Sequence, residues 1–291
     1  MSGLKQLRNR VKSIKSTQKI TKAMHVVSAA KLKKVKEQAE NFNEYSTVLG
    51  DIMYDISTSG NLMDLPANDR KFFNKNLEYM THLLVVMTSE RGLCGGFNSS
   101  VIRKVKNDIK TLQREGKAVK LLVIGKKGRD ALKGQYSDII AEYYHHNIKN
   151  NVECLAREVK DKIIEMVEGE EVGACYMYYN RFKNAMTQIL TKECILPAET
   201  TESTEISAVS EYEYEGSDLV HEVIHLYISG EINYGLLQSK ASEEGARMTA
   251  MDNATRNAGE LVEKLTLQLN RSRQAMITTE LTEIISGAEA V

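Results

Sequence analysis

The sequence has almost no proline and no tryptophan. Among its 291 residues the only prolines are Pro66 and Pro197. Because proline breaks helices, its scarcity favours long uninterrupted ones. Long apolar runs are also missing, since none approaches the roughly 18 or more residues that span a bilayer. The sequence therefore predicts that this protein does not conduct ions across a membrane by itself.

Cysteine is scarce, and its spacing suggests no metal or disulfide framework. The four cysteines form no CxxC pair, and no secretory signal peptide is predicted ahead of them: Cys94, Cys154, Cys175 and Cys194. This pattern argues against structural disulfides and against a zinc finger. Acidic and basic residues balance at 39 each, but they are distributed unevenly along the chain.

Residues 4–57 have the apolar spacing of a coiled-coil helix. They contain no proline and a single glycine, Gly50. Residues of the predicted seam recur in steps of three and four over about seven heptads. The seam comprises Leu4, Leu7, Val11, Ile14, Gln18, Thr21, His25, Ser28, Leu32, Val35, Ala39, Phe42, Ser46, Leu49, Met53 and Ile56. A helix of this length would extend for about 80 Å.

The polarity of this helix is reversed between Gln18 and Ser28. There the seam residues are polar, whereas small and apolar side chains lie on the outer side of the predicted helix. This second set, the outer apolar band, comprises Ile20, Ala23, Met24, Val26, Val27, Ala29 and Ala30. Coiled coils bury apolar residues against their partner helix, so the reversal is unusual for a helix with one partner.

A second long helix is predicted from Ser217 almost to the end of the chain. Its seam again steps by three and four, through Met248, Met251, Thr255, Ala258, Val262, Leu265, Leu269, Ser272 and Met276. Two long helices with complementary seams would pair most simply as an antiparallel coiled coil within one chain.

Alternating strands and helices predict an α/β domain with a largely parallel sheet between the two helical segments. The predicted strands are His82–Thr88, Val119–Gly125, Ile139–Tyr144, Ala174–Tyr179 and Met186–Ile195, and the helices are Ser99–Glu115, Gly128–Lys133 and Glu153–Val167. Gly60–Arg70 is predicted to be a linker. We therefore expect an N-terminal coiled-coil helix at 1–60, a Rossmann-like domain at 75–198 and a C-terminal coiled-coil helix at 217–288.

The first 36 residues contain eleven Lys or Arg residues and no acidic residue. Six of them form a single stripe beside the seam: Lys5, Arg8, Lys12, Lys15, Lys19 and Lys22. A solvated helix face usually mixes charges, so this stripe favours an acidic partner, whether nucleic acid, membrane headgroups or an acidic protein surface. A mitochondrial transit peptide has similar composition, but the heptad phase continues unbroken through Ile56.

HEVIH, from His221 to His225, matches the HExxH pattern of zinc metallopeptidases. Two histidines four residues apart share one helix face, and Glu222 would be the general base. Glu243 or Glu244 would be the third ligand, but along a continuous helix it would lie about 27 Å away. We therefore predict histidines on a helix surface, and keep a zinc peptidase as an alternative.

RGLCGG follows a predicted strand and is consistent with three interpretations. A phosphate-binding loop lacks support, because neither GxGxxG nor GK[ST] is present. A nucleophilic Cys94 with His82 as its base would require the two residues to approach across about 20 Å of strand. A tight strand-to-helix turn explains the glycines without any chemistry, and we favour it.

Four blocks in order along the chain resemble the gamma chains of F-type ATP synthases. They are IKSTQKITKAMHVVSAAKLKK, SERGLCGGFN, ASEEGARMTAMDNATRNAGELVEKL and NRSRQAMITTELTEIISGA. The resemblance covers nearly the whole sequence and is closest to the bacterial form. Two positions depart from the family pattern: Glu90, where Asp is usual, and His25, where an acid is frequent.

The resemblance implies a central-stalk rotor without catalytic residues, cofactor or metal. Its paired helices would stand inside the ring of alpha and beta subunits, and its α/β domain would contact the epsilon subunit and the c-ring. Ion flow, of protons or sodium, would turn the rotor and so couple transport to ATP synthesis or hydrolysis. The chain would be peripheral, on the cytoplasmic side of the cell membrane, and would bind no nucleic acid. A basic coiled-coil protein that binds nucleic acid remains the second alternative.

The resemblance also implies a set of contact residues. Residues of the bearing and of coupling to the ring would be Ile20, Met24, Val27, Arg247, Gln274, Thr278, Glu280 and Glu283. Contacts with epsilon and the c-ring would be made by Tyr212, Tyr214 and Glu215. On this interpretation the outer apolar band is a bearing surface, because apolar contact is non-directional and does not fix one angle.

Overall fold

The computed structural model describes residues 2–58, 65–73, 81–145, 152–198 and 217–289. The helices are α1 (Ser2–Thr58), α2 (Ala67–Arg70), α3 (Phe97–Arg114), α4 (Lys126–Tyr136), α5 (Val152–Glu168) and α6 (Ser217–Glu289). The strands are β1 (His82–Met87), β2 (Val119–Ile124), β3 (Ile140–Tyr144), β4 (Ala174–Phe182) and β5 (Gln188–Leu196). Every predicted strand and helix is therefore present, with shifts of a few residues at the ends.

The chain divides into two compact units. The coil unit comprises Met1–Ala29 and Arg247–Val291, and the sheet unit comprises Ala30–Ala246. Both long helices contribute residues to both units. The division predicted from sequence, at 1–60, 75–198 and 217–288, follows element types rather than compactness and stays a prediction.

In the coil unit, α1 and α6 pair antiparallel along the predicted seams. The hydroxyl oxygens of Thr21 and Thr255 lie 2.7 Å apart. Earlier in α1 and later in α6, the Gln18 amide nitrogen lies 3.1 Å from where a Cβ on Gly259 would be. The buried seam residues here are Val11, Thr21, Ser28, Met251, Ala258 and Leu265. The predicted antiparallel coiled coil is confirmed.

The sheet unit contains a five-stranded sheet with the order β3-β2-β1-β4-β5. The first four strands in this order are parallel, and β5 pairs antiparallel with β4. All six residues of β1 are buried, as expected for a central strand that is covered on both faces. The prediction of a Rossmann-like, largely parallel sheet is confirmed.

Different helices cover the two faces of the sheet. Leu83, Val85 and Met87 of β1 join a core cluster with residues of α1, α5 and α6. Leu84 and Val86 point to the other face, where the cluster contains residues of α3 and α4. The period-two alternation of β1 thus assigns α5 and α6 to one side and the α3–α4 pair to the other.

The predicted linker Gly60–Arg70 is wrong in its second half. Ala67–Arg70 forms α2, which follows Pro66, and a 3-10 turn continues through Phe73. Asp69, Phe72 and Phe73 are buried. Proline favours the first turn of a helix, and the two phenylalanines supply an apolar contact that composition alone did not reveal.

Candidate functional site

The outer apolar band is exposed on the coil unit. Ile20 and Val26 are each 60% exposed and Val27 is 53% exposed. Ala23 is also exposed, as is Ala30, the first residue of the sheet unit, whereas Met24 is half-buried at the edge of the band. Within the coil unit, this stretch of α1 therefore turns its largest aliphatic side chains away from α6.

The polar seam beneath the band satisfies its own hydrogen bonds. Besides their mutual contact, the Thr21 hydroxyl lies 3.1 Å from the Gln18 carbonyl and the Thr255 hydroxyl lies 2.7 Å from the Met251 carbonyl. Buried hydroxyls with partners cost little, whereas unpartnered ones cost about 1–3 kcal/mol each. The seam can therefore be polar without separating the two helices.

A polar groove lies beside this part of the seam. It has a volume of about 470 Å³ and is lined by Gln18, Lys19, Lys22, His25, Asp252 and Thr255. His25, where the family often has an acid, is thus placed on the same groove as Asp252. The departure leaves the seam intact.

The basic stripe is also found as predicted. All six of its residues, from Lys5 to Lys22, are exposed along one continuous helix. In the described part of the chain none of them forms an ion pair. A row of unneutralised cations therefore lies on the coil unit together with the outer apolar band.

The predicted coupling residues of α6 fall into two environments. Arg247 is buried, at 7% exposure. Gln274, Thr278, Glu280 and Glu283 are exposed, and the Thr278 hydroxyl donates to the Gln274 carbonyl at 3.0 Å. These four side chains are accessible to a partner, but their role in coupling stays a prediction. Tyr212, Tyr214 and Glu215 lie outside the described residues.

A second apolar surface at the end of α6 was missed by the sequence analysis. Residues 277–286 are all exposed. They include a row at helical spacing, the C-terminal apolar stripe, which comprises Ile277, Leu281, Ile284 and Ile285. The signal was available, because the stepped seam ends at Met276 while the apolar residues continue beyond it.

The sheet unit contains two half-buried carboxyl groups, those of Glu231 and Glu193, that the sequence analysis also missed. Glu231 of α6 accepts a hydrogen bond from the Ser46 hydroxyl at 2.9 Å, and Glu193 accepts one from the Tyr179 hydroxyl at 2.7 Å. Burial, with a further contribution from the charge of Glu193, raises the pKa of Glu231 to about 7. Ser46 was recognised only as a polar residue in the seam.

The HEVIH residues do not form a peptidase site. The His221 Nδ1 atom lies 2.8 Å from a carboxylate oxygen of buried Asp69, and the His221 and His225 rings lie 4.3 Å apart. Burial lowers the pKa of His225. Because α6 is continuous, Glu243 cannot fold back, and it accepts a hydrogen bond from Lys240 instead.

One further finding corrects the sequence interpretation of HEVIH. The histidines were predicted to lie on the surface, but both are half-buried. Among the described residues, no group of three or more His, Cys, Asp or Glu side chains is placed to hold a metal ion. The motif packs α2 against α6 through the pair of Asp69 with His221.

RGLCGG is a structural turn between β1 and α3, as predicted. Leu93 and Gly95 have φ values of 64° and 55°, which make the tight reversal. Cys94 is buried in a cluster with Phe97 and Ala246, and its sulfur lies 3.2 Å from the Asn98 amide nitrogen. His82 lies at the opposite end of β1, so it does not act on Cys94.

The carboxyl ends of the strands, where Rossmann-like sheets usually bind ligands, are packed against α6. A Cβ on Gly235 would collide with the side chain of Met177 and would approach the Met87 Cε atom to 3.3 Å. On Gly245 it would lie 3.0 Å from the ring of Phe182. Helix α6 therefore packs closely against β1 and β4, including the last residue of each strand.

Comparison with known proteins matches the whole chain. A family model described as ATP synthase matches residues 3–291. The ATP synthase gamma chains of Rickettsia felis (strain ATCC VR-1525 / URRWXCal2) and Rickettsia prowazekii (strain Madrid E) are each 54% identical to this chain. In both cases the alignment covers 100% of each protein.

Solved structures agree with this assignment and share the fold. The central stalk of the Tetrahymena thermophila mitochondrial ATP synthase is 26% identical, with a TM-score of 0.58, over 81% of this chain and 99% of that one. A rotor chain of the Euglena gracilis mitochondrial ATP synthase has a TM-score of 0.65 at 16% identity, and the match covers 95% of this chain and 99% of that one. The full-length sequence matches and this shared fold together show that the chain belongs to the ATP synthase gamma chain family.

Proposed function

We propose that this chain is the central-stalk rotor subunit of an F-type ATP synthase. It transmits torque between ion flow through the membrane sector and the catalytic alpha/beta ring, and it regulates ATPase activity in the same way. One observation carries the proposal: within the coil unit, α1 and α6 are held together by a satisfied seam while Ile20, Val26 and Val27 are exposed.

This arrangement suits a shaft that turns inside a sleeve. The seam must resist torque, and interlocked side chains with paired hydroxyls do so. The outer surface must slide, and a directional polar contact would cost about 1 kcal/mol to break at each step. Apolar contacts depend on area rather than on angle, so they keep the barrier to rotation low.

The C-terminal apolar stripe extends the same argument to the end of α6. Ile277, Leu281 and Ile284 would be costly to leave in water on an isolated protein, so they indicate an enclosing partner. We assign that role to the alpha and beta subunits. Gln274, Thr278, Glu280 and Glu283 would contact the ring at chosen angles, and Met24 and Arg247 would set the coupling.

The remaining partners follow from the family. The epsilon subunit and the c-ring would be contacted by Tyr212, Tyr214 and Glu215, and the chain would lie at the cytoplasmic side of the cell membrane. None of the helices that the structure describes is both long and apolar enough to cross a bilayer. Attachment would therefore be made through the assembled complex.

We also propose that the chain is not itself an enzyme. Packing of α6 across the crevice of the sheet leaves nucleotide binding to the ring, where ATP is made or hydrolysed. The chain acts by rigid rotation, because each catalytic site contacts a different side of the shaft at each angle.

Reassembly of the complex tests this function. The isolated chain should hydrolyse no ATP, whereas omission of the chain should abolish proton-driven ATP synthesis by a complex reassembled from the other subunits in liposomes. Proton-driven synthesis at the normal rate without the chain would exclude a rotor role. Stoichiometric zinc that is lost in His221→Ala together with proteolysis would support the peptidase alternative instead.

A further inference from the structure

Charge is sorted between the two faces of the sheet unit. Helix α3 carries five Lys or Arg residues and one Asp. Helix α4 carries four Lys or Arg residues and one Asp. On the opposite face, α5 carries five acidic and three basic residues. Because the chain as a whole has no net charge, the excess of positive charge on α3 and α4 is a local feature.

The basic residues lie on the side of these helices that faces away from the sheet. Helix α3 buries Val101, Val105 and Ile109 and carries its cations at positions between them. Helix α4 buries Leu132 and Tyr136. The exposed or half-buried cations, which we call the basic face, are Arg103, Lys106, Lys110, Arg114, Lys126, Lys127 and Lys133.

The basic face is not neutralised by the chain itself. None of its seven residues forms an ion pair within the part of the chain that the structure describes. The acid of α3, Asp108, accepts a hydrogen bond from the Tyr178 hydroxyl at 2.8 Å and pairs with Lys104 at 2.9 Å. By contrast, Lys160 and Lys162 of α5 are paired with Asp161 and Glu165.

The surroundings of the basic face limit what can bind it. No large apolar side chain is exposed among the described residues from Phe97 to Tyr136. Interfaces with folded proteins depend on buried apolar or aromatic anchors, and single-stranded nucleic acid requires exposed aromatic rings for stacking. Leu93, which is 63% exposed, lies beside this face, because a Cβ on the preceding Gly92 would be 3.6 Å from the Lys127 Cε atom. It is a single side chain rather than a cluster of anchors, so we expect a partner to be recognised mainly through its negative charge.

We propose that the basic face binds anionic lipid headgroups at a membrane surface. The row from Arg103 to Arg114 extends for about 16 Å along α3, and the row on α4 lies beside it at a helix spacing of about 8–10 Å. Together they form a broad patch of cations, the arrangement by which polybasic segments bind anionic membranes. Binding would concentrate the free chain at the membrane, and it does not depend on the rotor assignment.

Vesicle binding by the full-length chain tests the proposal. Phosphatidylcholine vesicles with 0, 20 or 40% phosphatidylglycerol are sedimented with the protein at 50 mM and 500 mM salt. Binding should rise with the anionic fraction and be lost at high salt. Each basic residue near the membrane increases the binding affinity about fivefold. We therefore expect affinity to fall at least about 100-fold in a variant that combines Arg103→Gln, Lys106→Gln, Lys110→Gln and Arg114→Gln.

Matched variants separate this face from the other polycation of the chain. In a second variant, each Lys of these four residues is replaced by Arg and each Arg by Lys. This variant keeps the charge and should keep binding, so it tests the proposal even if the Gln variant folds poorly. Replacement of Lys5, Arg8, Lys12 and Lys15 by Gln removes four charges from the basic stripe, and replacement of the four α3 residues in this background should still weaken binding at least about 100-fold. The proposal is overturned if the stripe variant loses binding while the α3 variant keeps it.

Double-stranded DNA provides the remaining comparison. A duplex of 20 base pairs presents phosphates without a flat lipid surface, and we expect it to bind at least tenfold more weakly than the vesicles at equal phosphate concentration. Equal or tighter binding of the duplex would instead identify the basic face as a nucleic-acid surface. The proposal would also be overturned if the chain bound vesicles with 0% and with 40% phosphatidylglycerol equally well.

Discussion

The coil unit and the sheet unit place their apolar side chains in opposite ways. In the sheet unit, β1 and β2 bury continuous aliphatic runs on both faces of the sheet. In the coil unit, the stretch from Gln18 to Ser28 buries hydroxyls and exposes Ile20, Val26 and Val27. Apolar residues stabilise the fold in the first region, whereas in the second they are exposed, and we propose that they contact a partner.

The same comparison separates residues that stabilise the fold from exposed residues that we propose to form a bearing surface. A buried aliphatic side chain should be costly to truncate, because the cavity it leaves cannot close fully. An exposed one should be nearly free to truncate in the isolated chain. Four experiments test this contrast, from the largest expected effect on stability to the smallest.

Truncation within the sheet should have the largest effect. Leu121 is 0% exposed in β2, so Leu121→Ala should lower the free energy of unfolding by about 2–5 kcal/mol. Val27→Ala, in the outer apolar band, should change it by less than about 0.5 kcal/mol. Urea denaturation followed by circular dichroism measures both. Similar losses for the two variants would show that the band is part of a core.

The half-buried Glu231 should make stability depend on pH. Its pKa is about 7 in the folded chain and 4.5 in the reference state, so the folded state binds the proton more tightly. Its contribution is fully present below pH 4.5 and is lost as the pH rises through 7. The stability advantage of the native chain over Glu231→Gln should therefore fall by about 3 kcal/mol between pH 4.5 and pH 8.

A matched substitution controls this measurement. Glu263 is exposed on α6, so Glu263→Gln should leave the pH profile of unfolding parallel to that of the native chain. Parallel profiles for Glu231→Gln and the native chain would mean that Glu231 has the same pKa in the folded and unfolded chain, and would contradict the burial argument.

The polar seam should have a smaller effect. Thr21→Val removes one partner of the pair with Thr255, so it should cost about 1 kcal/mol. Thr21→Val with Thr255→Val replaces both hydroxyls by methyl groups of similar shape and should return stability to within about 0.5 kcal/mol of the native chain. Thr17→Val, at an exposed position, is the control. Additive losses in the double variant would argue against a coupled pair.

Much of the fold was readable from periodicity alone. The strands and helices were predicted because β1 and β2 are short apolar runs and because the seams of α1 and α6 step by three and four. The linker was mispredicted because Phe72 and Phe73 stabilise this segment only through tertiary packing, which composition does not indicate. Glu231 was missed for a similar reason, since burial of a carboxyl depends on residues far away in sequence, here Ser46 and Glu193.

The candidate site was predictable in part. Apolar residues on the outer side of a seam indicate an additional surface, so Ile20 and Val27 were found from pattern. The C-terminal stripe carried the same signal, but it lies beyond the last seam residue and has no paired helix for comparison. The roles of Gln274, Thr278 and Glu280 came from resemblance, because an exposed polar residue on a helix has no pattern of its own.

The smallest effect on stability is expected at Met24, where the effect on function should be clear. Met24 is half-buried at the edge of the band, and Met24→Lys places a cation beside the surface that we propose to slide. A lysine can form a directional ion pair with the ring and hold it at one angle. The free energies of assembly and of unfolding should change by less than about 0.5 kcal/mol, while the number of ions transported per ATP falls.

Met24→Leu, which keeps the surface apolar, is the control and should retain the native ratio of ions to ATP. The ratio is measured as proton pumping against ATP hydrolysis in inverted vesicles. If the lysine variant pumps as many protons per ATP as the native chain, directional contacts are tolerated and the outer apolar band is not a bearing.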